Sequence, residues 1–330
     1  MSGRRLTFGK PIEDAITRLR FAPKSNNLLV SSWDSCLRLY DVDASMPRLE
    51  AQTEAALLDC CFQDEFVAYS AGSDGSIHRY DLHSGNQDTI GNHDNSATCA
   101  EYSDETCLVI TGGWDRKIFY WDARATNVIQ SFTSLGQDVE SMSLFGFDVL
   151  VATETSVNVY DLRNLKEVVH TKHSDMGIRI RCVRSIPYLK GFAIGSIDGR
   201  VTLELPYLSS TDEMGYTFRC HPKSRNGKYY LAAVNDISFN PLFFGAFVTG
   251  DYEGYAISWD ARSRKRLFEL PRYPNSVASL SYNHTGELLA VASGYTYQEA
   301  NEIEDPPEIF IQELGESYMK SLSAGSSCRT

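Results

Sequence analysis

Short runs in which apolar and polar residues alternate follow one another along most of the chain. Four successive runs, at 96–103, 107–113, 117–123 and 128–133, are rich in β-branched and aromatic residues. Such alternation is typical of β-strands, whose side chains point to opposite faces in turn. No segment shows a sustained apolar period of ~3.6 residues, as an amphipathic helix would. The pattern therefore predicts an all-β chain with little helix.

A longer repeat contains these runs: small residues, a turn with Asp or Glu, a short alternating run, and an aromatic residue followed by Asp. Copies are SSWDSCLRLYD at 31–41, AGSDGSIHRYD at 71–81, GGWDRKIFYWD at 112–122, ATETSVNVYD at 152–161 and GDYEGYAISWD at 250–260, with a weaker copy, GSIDGRVTLEL, at 195–205. The closing aspartates of the first four copies are 40, 41 and 39 residues apart. A seventh unit covers 276–294 and 309–314, with an insertion at 295–308 in place of the short turn.

Four-stranded units at a spacing of about forty residues are typical of WD-repeat β-propellers. One unit alone cannot bury both of its faces, whereas a closed ring of units buries them without long exposed edges. We therefore predict a single seven-bladed WD-repeat β-propeller over residues 1–314, closed by pairing of 4–8 with 309–314. Residues 315–330 are predicted to form a flexible C-terminal tail.

The aromatic residues of the repeat fall into two groups. Those that directly precede the closing Asp are interpreted as structural, filling the space between units: Tyr40, Tyr80, Trp121, Tyr160 and Trp259. Trp33 and Trp114 stand instead just before the acidic turn residue, where the turn would lie on a rim of the propeller. An exposed aromatic side chain there is a candidate interface anchor, and a structural role remains the alternative.

Charge and cysteine content narrow the classes of partner. With 31 Lys and Arg against 43 Asp and Glu, the net charge is −12. This disfavours direct binding to nucleic acid or to anionic membranes, because both attract a positive surface. No apolar run approaches the ~20 residues of a membrane-spanning helix, and residues 1–10 lack the apolar core of a secretory signal. The eight cysteines are expected to be reduced core thiols, and their spacing predicts no metal site.

Basic residues are nevertheless concentrated in one segment. Residues 178–228 contain nine Lys and Arg against four acids, a balance of 9 − 4 = +5. Guanidinium groups bind carboxylates and phosphates through two points at once, so the segment is a candidate site for an acidic or phosphorylated peptide. Ordinary solvated loop charge is an equally open interpretation. The nine residues are Arg179, Arg181, Arg184, Lys190, Arg200, Arg219, Lys223, Arg225 and Lys228.

Several strings resemble one known family. SSWD with LRLYDV, GGWD, IRIRCVRSIP, GSIDGRVTLE and FRCHP are similar to the Bub-type WD-repeat proteins of the mitotic spindle checkpoint, the adaptors that carry Bub kinases to kinetochores. The resemblance covers residues 5–314, and FRCHPKSRNG and GYTYQEA are most similar to the plant branch. The Rae/Gle-type adaptors of mRNA export and the nuclear pore are the sister group. The repeat alone is unspecific, because WD propellers serve many functions.

The resemblance implies partners and binding residues. Trp33, Trp114 and Arg181 would bind a short segment of Bub-family checkpoint kinases or related kinase-like proteins. Arg200 and Arg219 would bind the phosphothreonine of Met-Glu-Leu-Thr motifs in the kinetochore scaffold. The resemblance also implies contact with the assembly that inhibits the anaphase-promoting complex, and a location in the nucleus, at mitotic kinetochores and in the cytoplasm. Pro222 stands where animal relatives carry a basic residue, which leaves the strength of phosphopeptide binding open.

Two other functions remain open from the sequence. A Rae/Gle-like export and pore adaptor would use the same rim for a related segment. A substrate receptor of a cullin ubiquitin ligase would use Asp-x-Arg, which follows the repeat aromatic at 122–124, 161–163 and 260–262, although an arginine that merely ends a strand is the favoured explanation. An enzyme is not expected, because the chain has no P-loop, G-x-S-x-G or H-E-x-x-H motif. We expect no catalytic residues, no cofactor and no metal.

Overall fold

The computed structural model of the chain contains seven four-stranded antiparallel sheets. It describes residues 3–124, 130–188, 191–204, 215–220, 223–225, 228–230, 232–243, 245–295 and 305–315. Within these ranges the helical structure consists of one 3-10 turn, Asp175–Gly177. No helix in the described ranges is long and apolar enough to cross a membrane. The prediction of an all-β, seven-bladed propeller is confirmed.

The strands are numbered in chain order. Strand β1 is Arg4–Arg5; blade one has β2 (Ile16–Phe21), β3 (Asn27–Ser32), β4 (Cys36–Asp41) and β5 (Met46–Gln52); blade two has β6 (Leu57–Phe62), β7 (Val67–Gly72), β8 (Ser76–Asp81) and β9 (Gln87–Asn92); blade three has β10 (Ala97–Ser103), β11 (Leu108–Gly113), β12 (Lys117–Asp122) and β13 (Gln130–Ser134); blade four has β14 (Ser141–Phe145), β15 (Asp148–Ala152), β16 (Ser156–Asp161) and β17 (Asn164–His173).

The later blades follow the same order. Blade five has β18 (Ile180–Ser185), β19 (Phe192–Ser196), β20 (Arg200–Glu204) and β21 (Tyr216–Arg219); a hairpin of β22 (Lys223–Arg225) and β23 (Lys228–Tyr230) follows; blade six has β24 (Val234–Phe239), β25 (Ala246–Asp251), β26 (Ala256–Asp260) and β27 (Lys265–Glu269); blade seven has β28 (Val277–Tyr282), β29 (Leu288–Ser293) and β30 (Glu308–Glu313), completed by β1.

The two ends of the chain close the ring in blade seven. Arg4 pairs with Ile311 and Arg5 with Phe310, and the Leu6 N–H donates to the Ile309 carbonyl at 2.8 Å. The predicted pairing of 4–8 with 309–314 is therefore confirmed, although β1 itself is only two residues long. The first strands of neighbouring blades contact one another around the whole ring and enclose a central channel.

The apolar core is divided among the gaps between blades. Seven hydrophobic clusters occur among the described residues, and each combines residues of two neighbouring blades. For example, Leu37 of blade one packs in the same cluster as Tyr80 of blade two. A blade is therefore stable only beside its neighbours, because its apolar faces are buried by them rather than within it.

The aromatic residues before the closing aspartates have the structural role predicted for them. Tyr40, Tyr80, Trp121 and Tyr160 are buried between blades, and Trp259 is half-buried. The closing Asp then accepts backbone N–H groups of the next turn. Examples are Asp81, which accepts from His83 and Ser84 at 2.9 and 3.0 Å, and Asp122, which accepts from Arg124 at 3.0 Å.

Cys107 departs from the sequence prediction. It was expected to begin a strand and to lie in the core, but it has φ +55° and is partly exposed in the turn before β11. Reversal of the chain at this turn requires the left-handed conformation, which excludes the residue from the strand. The other six described cysteines are buried core residues, as predicted, and Cys328 lies outside the described residues. The predicted tail, apart from Gly315, also lies outside them.

Candidate functional site

Antiparallel pairing brings all five predicted binding residues to one rim of the propeller, which we call the upper rim. There each first and third strand begins, and each second and fourth strand ends. Trp33 and Trp114 lie in the turns β3–β4 and β11–β12. Arg181 is the second residue of β18, and Arg200 and Arg219 are cross-strand neighbours at the upper ends of β20 and β21. In the sequence the five residues are spread over 186 positions, from 33 to 219.

Hydrogen bonds from the backbone fix the two tryptophan turns. The Trp33 N–H donates to the Ala15 carbonyl at 2.8 Å, and the Trp114 N–H donates to the Ser96 carbonyl at 2.9 Å. These bonds join each turn to the segment that leads into the first strand of the same blade. The Trp114 side chain is 46% exposed, whereas Trp33 is half-buried. An indole that stays this exposed on a fixed turn can bury apolar surface of a partner.

A β-bulge occurs in the first strand of six blades, among the described residues. The bulged residues are Thr17, Leu58, Thr98, Arg181, Asn235 and Ala278. All six line a cavity of about 340 Å³ at the upper mouth of the channel. A bulge redirects the side chain of the extra residue, so the repeated bulge forms a ring around the mouth. Arg181 supplies the charged side chain of this ring.

The same cavity contains both tryptophans. Trp33, Trp114 and Arg181 come from blades one, three and five, and all three line it. The sequence grouped these residues only through a family resemblance. The ring closure of the propeller is what places them around one opening.

Arg181 has no side-chain hydrogen bond or ion pair with any other described residue. The nearby carboxylate of Glu140 is already paired with Arg179 at 2.6 Å. Burial lowers the pKa of Arg181, and the positive charge of Arg179 adds to that effect, while Glu140 opposes it. A partly desolvated guanidinium without a counter-ion gains free energy when a carboxylate binds it in two-point fashion.

Arg184 was grouped with the basic segment, but the structure places it in the channel, where it is paired with an acid. Its Nη2 lies 2.5 Å from Oδ1 of Asp236, and its side chain is largely buried. Arg184 meets the carboxylate of Asp236 in blade six, whereas Arg181 occupies the bulged position of β18 at the upper mouth of the channel. Arg184 therefore neutralises a buried carboxylate and is not part of a basic surface.

Arg200 and Arg219 form a second basic pair on the outer part of blade five. Nε of Arg200 lies 3.0 Å from Oδ2 of Asp198, and its side chain is three-quarters buried. Arg219 is exposed and has no ion pair with another described residue. The predicted +5 segment is thus partly neutralised, which leaves Arg181 and Arg219 as its unpaired arginines among the described residues. Lys190 and the side chains of Lys223, Arg225 and Lys228 lie outside the described residues.

The repeat pattern does not predict the bulge ring or the pairing of Glu140 with Arg179. The sequence does contain a signal for the bulge ring. In six blades the bulged residue is the second residue of the first strand, so it occupies the same place in each repeat. No group of three His, Cys, Asp or Glu side chains suited to a metal ion occurs in the described ranges.

Comparisons with known proteins agree with this architecture. Residues 5–41 and 85–122 match the family described as WD domain, G-beta repeat. The propeller resembles the solved structure of U3-55K with a TM-score of 0.81, covering 94% of this chain and 98% of that one at 14% identity, which supports the fold alone.

Two curated relatives match over most of their length. The chain is 52% identical over 314 residues to mitotic checkpoint protein BUB3.3 of Arabidopsis thaliana, covering 95% of this chain and 100% of that protein. It is 32% identical over 308 residues to mRNA export factor GLE2 of Chaetomium thermophilum, covering 88% and 84%. Extended identity at this level, on a seven-bladed ring of WD repeats, shows that the chain belongs to the BUB3 family of mitotic checkpoint proteins.

Proposed function

We propose that this protein is a non-enzymatic adaptor of the mitotic spindle assembly checkpoint, and that its upper rim binds a short segment of a Bub-family checkpoint kinase. In this proposal Trp33 and Trp114 bury apolar side chains of the segment, and Arg181 pairs with one of its glutamates. The Arg181 guanidinium, which has no ion-pair partner among the described residues and shares one cavity with both indoles, is the observation that carries the proposal.

A second binding event uses the outer part of blade five. Arg200 and Arg219 bind the phosphothreonine of Met-Glu-Leu-Thr motifs in the kinetochore scaffold, and the adaptor thereby recruits checkpoint components to kinetochores within the nucleus. The cross-strand position of the two arginines supports this proposal, because neighbouring guanidinium groups suit a phosphate with several acceptor oxygens. A phosphate adds a charge of ~−1.5 to −2, so a kinase acting on the scaffold would control the contact.

Affinity purification of the tagged full chain from mitotic and interphase extracts tests the proposal. We expect a Bub-type kinase to be recovered from both extracts and the kinetochore scaffold from the mitotic extract only. Loss of the kinase in an Arg181→Ala chain, with recovery retained in an Arg163→Ala chain, would link recovery to the upper rim, since Arg163 is exposed at the other end of blade four.

A function in mRNA export is the second candidate, supported by the similarity to GLE2. It would use the same cavity for a related segment of a nuclear pore protein. Recovery of pore proteins from interphase extract, without a Bub-type kinase in either extract, would favour this candidate and refute the checkpoint proposal.

A further inference from the structure

Exposed apolar side chains lie on the lower rim, the end of the propeller opposite Trp33 and Trp114. Phe145 of blade four, Tyr188 of blade five and Leu242 of blade six are 41%, 63% and 57% exposed. Each lies in or beside the turn that joins the first and second strands of its blade. We call these three residues the apolar strip.

The strip spans three successive blades and contains one direct ring contact. The rings of Phe145 and Tyr188 meet edge to face, with centroids 5.7 Å apart, and β14, β18 and β24 are neighbours around the channel. The equivalent turns of blades one, three and seven carry polar residues instead, which are Lys24, Ser25, Asp104, Glu105, His284 and Thr285. The equivalent turn of blade two carries another exposed aromatic residue, Phe66, which blade three separates from the strip. Contiguous exposed apolar side chains, unlike scattered ones, indicate a binding surface.

Tyr188 also has an unusual backbone conformation. Its φ is +62°, in the left-handed region that bulky side chains rarely adopt. The ring lies against Phe145 at the surface and remains largely exposed. Unfavourable backbone conformations persist where a function depends on them more often than elsewhere.

A basic hairpin borders the strip on blade six. Within residues 262–266, which include the end of the turn after β26 and the first two residues of β27, four of five side chains are basic: Arg262, Arg264, Lys265 and Arg266. Two acids lie beside these four basic residues: Arg266 pairs with Glu269 at 2.9 Å, and Asp260 accepts hydrogen bonds from Ser263 and from the Arg262 backbone.

The hairpin packs directly against the turn that carries Leu242. The Ala261 N–H donates to the Gly245 carbonyl at 2.9 Å, and a Cβ at Gly245 would lie 3.5 Å from Cγ of Arg262. The Arg264 guanidinium stacks 4.5 Å from the ring centre of Tyr216 in blade five, which places positive charge between blades five and six. On the other side of the strip, Arg163 is neutralised by Asp161 at 2.6 Å.

We propose that the apolar strip and the basic hairpin form a second docking surface, which binds an acidic protein segment carrying a large apolar anchor. The anchor packs on Tyr188 and Phe145, and acidic residues of the segment face the hairpin. Because the chain as a whole is strongly acidic, with a net charge of −12, repulsion elsewhere directs an acidic segment to this locally basic place.

The size of the surface also favours a short segment. Three side chains fall far short of the ~800 Å² per partner that a stable dimer buries. The overall negative charge also opposes attachment to an anionic membrane. The docking surface lies on the rim opposite the proposed kinase site, so the two could be occupied together.

Selection of short random peptides displayed on phage, with the full chain as bait, tests this proposal. We expect selected peptides rich in Asp and Glu, each with an aromatic or aliphatic anchor. Fluorescence anisotropy of a labelled peptide should show at least a tenfold weaker affinity for Tyr188→Ser, as for an interface anchor. Arg264→Glu with Lys265→Glu should weaken binding as strongly, and added salt should weaken binding to the unmodified chain.

Matched variants distinguish loss of this docking surface from a general loss of folding or of surface hydrophobicity. Phe66→Ser removes an aromatic side chain of blade two that is 68% exposed, about as much as Tyr188. Trp114→Ala alters the upper rim. Both variants should bind the selected peptide with an affinity within about twofold of the unmodified chain, as expected for residues outside the contact. Circular-dichroism melting checks that each variant folds, and Leu242→Ser replaces Tyr188→Ser if the latter does not.

Several results would overturn the proposal. One is failure to select any peptide whose binding depends on the strip. Another is binding by the Tyr188→Ser chain and by the charge-reversed chain as tight as that of the unmodified chain. A third is loss of peptide binding in the Trp114→Ala chain. A concentration-dependent dimer abolished by Tyr188→Ser, seen by analytical ultracentrifugation, would assign the strip to self-association instead. Strip-dependent binding to phosphatidylserine vesicles without peptide binding would assign it to a membrane.

Discussion

Arg18 of blade one and Asp236 of blade six are 218 positions apart and form an ion pair of 3.2 Å inside the channel, across blade seven. Asp236 also pairs with Arg184 of blade five and accepts the Leu280 N–H of blade seven at 2.9 Å. One carboxylate therefore connects four consecutive blades. Although burial raises its pKa, Arg184 and Arg18 hold the pKa of Asp236 below the ordinary value.

Loss of that carboxylate should destabilise the ring. Asp236→Asn leaves Arg184 buried without its counter-charge and leaves Arg18 with Asp59 alone, at 3.5 Å, and we expect a loss of about 3 kcal/mol in the free energy of unfolding. Urea denaturation followed by tryptophan fluorescence measures it. Asp138→Asn is the matched control, because the pair of Asp138 with Arg116 is largely exposed and should contribute less than about 1 kcal/mol. Similar values for the two variants would contradict the prediction.

Arg181 should affect binding and leave stability unchanged. Because it has no partner among the described residues, Arg181→Ala removes a desolvated charge without breaking an ion pair. Loss of a charge-assisted hydrogen bond of ~1.5–3 kcal/mol should weaken binding of a kinase segment about 10- to 100-fold. Isothermal titration gives the affinity, and thermal melting should give an unchanged or higher Tm. A lowered Tm with unchanged affinity would show that the residue is structural.

The phosphate site should be separable from the kinase site. Arg200→Ala combined with Arg219→Ala should abolish binding of a phosphorylated Met-Glu-Leu-Thr peptide, because both proposed guanidinium contacts are removed. Binding of the kinase segment should be retained. Isothermal titration with both peptides, and with the unphosphorylated peptide as control, makes the comparison. Equal loss of both peptides, or loss of neither, would refute the separation.

The two tryptophans of blade three should respond in opposite ways. Trp121 is buried, and its Nε1 donates to Oγ1 of Thr111 at 2.9 Å, so Trp121→Ala should cost about 3–5 kcal/mol of stability. Trp114→Ala, at an exposed turn, should change stability by less than about 0.5 kcal/mol and weaken binding of the kinase segment. Urea denaturation and titration of both variants check this. A strongly destabilised Trp114→Ala chain would mean that this side chain supports the fold.

His93 should make stability depend on pH. Burial lowers the pKa of His93, and its hydrogen bond with Asp115 at 3.0 Å only partly opposes this. The unfolded chain, with a histidine pKa of ~6.5, therefore takes up a proton first. The contribution of neutral His93 to the free energy of unfolding is present above about pH 6.5 and is lost as the pH falls below that value.

Denaturation as a function of pH measures the effect of His93. The His93→Gln chain should lose less stability on acidification than the unmodified chain, by at most about 1.4 kcal/mol per pH unit for one proton. His83→Gln, at an exposed histidine, is the control and should follow the unmodified profile. Parallel profiles for all three chains would show that His93 does not titrate with unfolding.

Much of the fold is specified locally, and the sequence predicts that part well. The turn acid and the closing Asp are seven residues apart within a single hairpin, so Asp115 and Asp122 are visible to any search for a repeat. The burial of Trp121 and the number of blades follow from the same period. Cys107 was placed in a strand wrongly, because alternation alone does not show where a chain must turn with positive φ.

The sequence by itself determined the seven-fold repeat and the residues that fill the gaps between blades, because these depend on neighbours within one or two units. It also indicated the pairing of the chain ends, because the last unit lacks a fourth strand that only the N-terminal segment can supply. Only the tertiary structure decided which charges remain unpaired. Arg184 and Arg181 are three residues apart in one basic segment, yet Arg184 meets Asp236 in the channel and Arg181 has no ion-pair partner among the described residues. That difference arises from ring closure, which brings the carboxylate of another blade to Arg184 and leaves Arg181 at the upper mouth of the channel.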